Sequence, residues 1–154
     1  MIVENHPNGF TKIIVGSLFG YRIRIHHWPK GANKSESQHN HRWWFVSIPL
    51  LGRFVDNRYT EVRDGSAMRI KVFDQDGQRD SGRAYMLGGT SGLRLRRTYL
   101  RYPLVPYFCR RSEIHSYYPH GDGRHISLVI ISPVKVEFSE IWREPGELDV
   151  ELES

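Results

Sequence analysis

Three histidines carry the most specific chemistry in this chain. His39 and His41 stand in Gln38-His39-Asn40-His41-Arg42-Trp43-Trp44-Phe45, and His115 returns in Glu113-Ile114-His115-Ser116-Tyr117. Alternate side chains of a strand point the same way, so a strand here turns both imidazoles of the pair to one face. Two imidazoles on one strand, with a third from a neighbouring strand, make a mononuclear metal site. Glu113 lies two residues before His115 and shares its face in a regular strand, where it can supply a fourth ligand. Tyr117, on that face too, is the hydroxyl expected to give a proton or hydrogen bond near the metal. Other groups surround this set. Arg22 and Arg24 alternate with Tyr21, Ile23 and Ile25. If the arginine face points inward, the pair anchors an anionic substrate group; if outward, it is solvated. Trp43 and Phe45 share the histidine face and would line the substrate space. Cys109, the single cysteine, reads as a small buried hydrophobe. His26, His27, His120 and His125 are surplus, with His125 expected at the surface.

The elements that position these residues read as strands. No stretch of 12 or more residues holds a 3.6 period without Gly or Pro, and short β-branched and aromatic runs recur between turn residues. Strands are expected over 12–16, 19–28, 39–48, 53–62, 67–73, 83–87, 93–100, 114–118 and 125–132. Turns are expected at 29–35, Gly52, 63–66, 74–82 and 88–92. About ten short strands with little helix predict an all-β sandwich or barrel.

With 154 residues the chain is expected to be one domain, 1–154, with its core over about 12–133 and an acidic tail over about 137–154, poorly ordered or lying on the surface from Pro145. The net charge of +5 hides an asymmetry: the tail carries seven acids against Arg143, which leaves the body at about +11. No apolar run reaches the ~20 residues of a membrane helix, and Met1-Ile2-Val3-Glu4-Asn5-His6 does not read as a signal peptide. A cytoplasmic, membrane-independent protein is expected. Arg94, Arg96, Arg97, Arg101, Arg110 and Arg111 form a block without an acid. It reads as a solvated strand face, with a nucleic-acid footprint as the sharper alternative. Of Trp43 and Trp44, one is expected to fill the barrel and the other to pack on the opposite face or on a partner subunit, which would make a homodimer.

The pattern Gly31…His39-Asn40-His41…Gly52, then Pro106…His115, resembles the two motifs of the cupin superfamily over roughly residues 18–133. The resemblance implies a double-stranded β-helix, or jelly-roll barrel, around a metal. Where cupins usually carry a glutamate ligand this chain has Phe45, so the implied site is three-histidine, with Glu113 as a fourth donor. His39-Asn40-His41-Arg42-Trp43-Trp44-Phe45-Val46-Ser47 is similar to a signature of uncharacterised bacterial and phage cupins. More distantly, the chain resembles the thiol dioxygenases. Ser127 matches the first member of their Ser-His-Tyr set, and Val129 and Ile131 replace the other two. His115 followed by Arg124 is similar to the distal His…Arg pair of the 2-oxoglutarate oxygenases, although their proximal carboxylate is absent here. The resemblance implies an Fe(II) oxygenase acting on a small polar or anionic molecule. Arg124 joins Tyr117 as a catalytic candidate, with 2-oxoglutarate as a lesser cosubstrate option. A redox-neutral Zn(II) enzyme and a non-catalytic ligand-binding cupin are the alternatives.

Overall fold

A computed structural model describes residues 1–6, 9–32, 38–74 and 83–144. Ten strands account for most of them: β1 (Ile2–Asn5), β2 (Thr11–Leu18), β3 (Tyr21–Trp28), β4 (Phe45–Leu51), β5 (Arg53–Asp74), β6 (Arg83–Arg101), β7 (Tyr107–Cys109), β8 (Ile114–His120), β9 (His125–Ile131) and β10 (Phe138–Arg143). Six form one sheet in the order β1-β2-β3-β9-β4-β7. In the other, β5 pairs β6 on one edge and both β8 and β10 on the other. All these pairings are antiparallel. No helix among the described residues is long and apolar enough to cross a membrane.

Strict alternation builds the interior. On β9, His125, Ser127, Val129 and Ile131 are buried while the residues between them are half-exposed. The inner cluster joins Phe10, Trp28, Phe45, Phe54, Tyr107, Cys109, Tyr117, Val129 and Ile131, with Trp43 packed against it. Six aromatic rings dominate its packing, through offset and edge contacts such as Trp28–Phe54 at 4.9 Å and Phe54–Tyr117 at 4.5 Å.

The strand boundaries depart from the sequence expectation in three places. First, 39–48 is not one strand: β4 begins at Phe45, bends occupy Arg42 and Trp43, and His39 makes only single bridges to His115 and Ile141. Second, 63–66 and 88–92 do not break the chain. β5 and β6 run through them as one long ribbon, absorbing the extra residues as register shifts. Third, residues 138–143 are not tail. They form β10 along β5, with Trp142 buried and its Nε1 donating to Ser91 Oγ at 2.9 Å. The expected turn beyond Asp74, residues 33–35 of the 29–35 loop and the tail from Pro145 lie outside the described residues.

Gly52, where the turn into β5 was expected, has φ +77. A Cβ there would overlap the His125 ring, so both backbone angle and space demand glycine. His125 itself is buried rather than at the surface; its Nδ1 lies 2.8 Å from the carbonyl of Gly123.

Candidate metal centre

Main-chain pairing on two sides seats the His39–His41 segment. His39 exchanges N–H···O bonds with His115 (3.0 and 2.9 Å), His41 N–H donates to Arg111, Asn40 N–H to Glu140, and Trp142 N–H to Gln38. The segment is thus held between β8 and β10. Asn40 fixes it further: its Nδ2 donates to Glu140 Oε2 at 2.9 Å, and its Oδ1 accepts from the Glu140 N–H at 2.7 Å. The sequence reading passed over Asn40, whose only signal is its place between two histidines.

This seating brings one nitrogen each of His39, His41 and His115 within 4.8 Å of one another. His41 Nε2 and His115 Nε2 are 2.9 Å apart. Two nitrogens bound at a right angle to one ion, each at about 2.1 Å, would stand about 3.0 Å apart. Three imidazoles also suit borderline transition metals. The residues present therefore fit a divalent metal ion.

Behind His115 lies a buried ion network. Asp56, fully buried, has Oδ1 3.4 Å from His115 Nδ1. Arg58 grips the same carboxylate with Nε and Nη2, each at 2.9 Å, and Arg101 Nε donates to its Oδ2 at 2.9 Å. A carboxylate at Nδ1 favours the Nδ1–H tautomer and frees Nε2 for a metal. Burial alone would raise the Asp56 carboxyl, but the hydrogen bonds from His115 and Arg58 bring it down to about 2. Burial and the neighbouring His39 take His115 down to about 4 against the pull of Asp56. Burial, with His39 and His115 alongside, holds His41 well below the usual imidazole range. Both are neutral at pH 7, the form that ligates. Sequence reading missed Asp56 and Arg58, since charged residues alternating on a strand read as its solvated face.

Glu113 does not join the cluster. The chain turns at 110–113 and β8 starts only at Ile114, so the strand is not regular there. Its carboxylate instead takes the Arg110 N–H at 2.7 Å and Arg58 Nη1 at 2.9 Å. Arg124 is exposed, just ahead of β9. Arg101 belongs to the Asp56 network and not to a solvated block, whereas Arg94, Arg96, Arg97, Arg110 and Arg111 are exposed.

The face of β3, open in the sequence, is settled: Tyr21 and Ile23 are exposed, while Arg24 is buried and Arg22 half-buried. Both guanidiniums lie over the Trp43 ring, at 5.1 and 5.7 Å, and Trp43 lies 5.9 Å from His41. Phe45 touches His41 (5.0 Å), His115 (5.8 Å) and Tyr107 (6.2 Å), bridging the histidines to a deeper hydroxyl group. There Tyr107, Tyr117 and Ser47 interact, and burial with the neighbouring Tyr107 raises the Tyr117 hydroxyl well above its ordinary range. Tyr117 therefore stays protonated, a donor and not a base. Trp44 points the other way, against Tyr21 and Phe108. Cys109 is fully buried and, by that burial, pushed up to about 12, which makes it inert as a nucleophile.

No family model matches the chain, and no curated protein matches it in sequence. Solved structures do. Peruvianin-I, a cysteine peptidase from Thevetia peruviana latex, is 12% identical with a TM-score of 0.52, over 90% of this chain and 69% of that one. Oxalate oxidase in complex with glycolate is 12% identical with a TM-score of 0.48, over 87% of this chain. The present chain spans about half of that protein, 55% of its length. A cupin domain from Bordetella pertussis Tohama I is 12% identical with a TM-score of 0.46, over 83% of this chain and 95% of that one. At such identities the likeness concerns the fold alone. With two antiparallel sheets and three converging histidines, the chain has an all-β jelly-roll fold.

Proposed function

We propose that this protein is a metal-dependent enzyme acting on a small anionic molecule, with a mononuclear iron(II) oxygenase as the first reading. The observation that carries it is the convergence of His39, His41 and His115, whose donor atoms lie within 4.8 Å of one another. A bound divalent ion supplies Lewis acidity and, as iron(II), the one-electron chemistry that dioxygen requires. The chain's own residues divide the remaining work. Asp56 orients His115. Arg22 and Arg24, turned inward beside Trp43, offer guanidinium groups to a carboxylate. Phe45 takes the place of a fourth ligand with an apolar wall, and Tyr117 lies beyond it, packed on Tyr107 and Phe54. Arg124, exposed, leaves a 2-oxoglutarate cosubstrate without support.

A second reading, a redox-neutral zinc enzyme, is favoured by one feature: the donor set has no carboxylate, and three histidines are a catalytic zinc set. Metal content measured on protein made without a histidine tag, wild type beside His39→Ala, decides between them. Iron near one equivalent, lost in the variant, with dioxygen uptake on addition of small carboxylates or thiols, supports the first reading. Zinc near one equivalent supports the second. Failure to hold either ion, as isolated or after addition, overturns both.

A further inference from the structure

The six-stranded sheet is apolar on its outer face as well as its inner one. A sheet with one face in water normally turns apolar residues inward and polar ones outward. Here β3 sends Arg24 inward and leaves Tyr21 and Ile23 exposed at 42% and 41%. The register lines up the outward residues across strands. Val3, Ile13, Ile25, Leu128 and Ile48 form one row over five strands. Ile23, Ile130, Val46 and Phe108 form the next over four. Leu18 pairs with Tyr21, and Trp44 lies between Tyr21 and Phe108. Neither row contains a charged residue, in a chain of net charge +5. A contiguous apolar face of this kind marks an interaction surface.

We propose that this outer face is the interface of an isologous homodimer, in which the rows of one copy pack on the same rows of a second. Size and charge argue for a second copy. Four strands of seven or eight residues, flanked by the shorter β1 and β7, give a face of about 25 by 25 Å. Two such faces cover about 1,200 Å², the area at which specific interfaces begin. A two-fold axis brings the uncharged patch onto its own equal, so no charge is stranded. The interface uses the opposite side of the sheet from the metal site and does not depend on the proposed chemistry.

Sedimentation of the full chain at micromolar concentration, wild type beside Ile23→Lys and Phe108→Glu, tests it. The expected mass is twice 18.1 kDa. Each variant should weaken association by at least about a hundredfold, with an unchanged circular-dichroism spectrum. Leu95→Glu, on exposed β6, serves as a control and should leave the dimer intact. A monomeric wild type overturns the proposal, as does a dimer that both variants leave intact. A wild-type monomer that pellets with lipid vesicles would assign the face to a membrane instead.

Discussion

The two ends of the barrel interior are built from the same strands and held by different forces. On β5, Phe54 belongs to the aromatic end, and two and four residues on, Asp56 and Arg58 belong to the metal end. β8 supplies Tyr117 to one and His115 to the other; β3 supplies Trp28 and then Arg24. At the aromatic end, rings pack on rings, as in Phe10–Trp28 at 4.7 Å. At the metal end, neutral imidazoles face one another and the charges lie behind them, paired as Asp56 with Arg58 and Arg101. The contrast teaches that the aromatic end sets how stably the barrel closes, whereas the polar end sets what it can hold.

Substitutions should separate the two. Trp28→Ala, at a fully buried ring, should cost about 3–5 kcal/mol in chemical unfolding. A cost below about 1 kcal/mol would place stability elsewhere and break the comparison. His41→Ala should do the reverse, weakening metal affinity by more than about a hundredfold while the metal-free melting temperature holds. Equilibrium dialysis against zinc measures this directly. Asp56→Asn keeps the shape but loses the charge behind His115, and metal affinity should fall about 10–100-fold. Because Asn also leaves Arg58 and Arg101 less well paired, some stability should go with it.

Acid probes both ends at once. His26, at the aromatic end, is held at about 3, chiefly by burial and then by Arg24, and His115 sits at about 4. Both lie below the unfolded value of 6.5, so the unfolded chain takes protons first. The metal-free protein should have full stability from these groups above pH 6.5. Each should cost about 1.4 kcal/mol per pH unit as pH falls below that, levelling off near its folded value. Asp56 at about 2 against 3.8 adds stability that is present above 3.8 and disappears as pH falls through 2. Urea midpoints between pH 7 and 4 follow the first window. The smallest effect is expected at exposed Arg124, where Ala should change stability by less than about 0.5 kcal/mol and leave metal affinity alone. A large effect there would return Arg124 to the site.

The histidine cluster was legible because histidines with spacing two and a late return have few other readings. The barrel was legible from short alternating runs. The way the histidines are held was not. Alternation located β3 and β5, but the usual rule for which face turns inward fails for Arg24 on one and for Asp56 and Arg58 on the other: these are buried charges, and the last two pair with each other and with Arg101 and Glu113 from elsewhere in the chain. Glycines at 65 and 88–92 look like chain breaks, but pairing along the ribbon absorbs them. β10 hid in a run of acids because Trp142, its buried anchor, is one residue among them.

The seating of His39–His41 between β8 and β10 also has a kinetic meaning. His41 and His115 are 74 residues apart, and Asn40 and Glu140 are 100 apart. Contacts at such separations carry a large loop-closure entropy and form late, as in other folds of high contact order. The third imidazole joins the 39–41 pair only when β8 is in place, and the clamp shuts only with β10. A complete histidine cluster therefore marks the end of folding, and if the cluster takes an ion, refolding followed by metal uptake should lag behind refolding followed by strand formation.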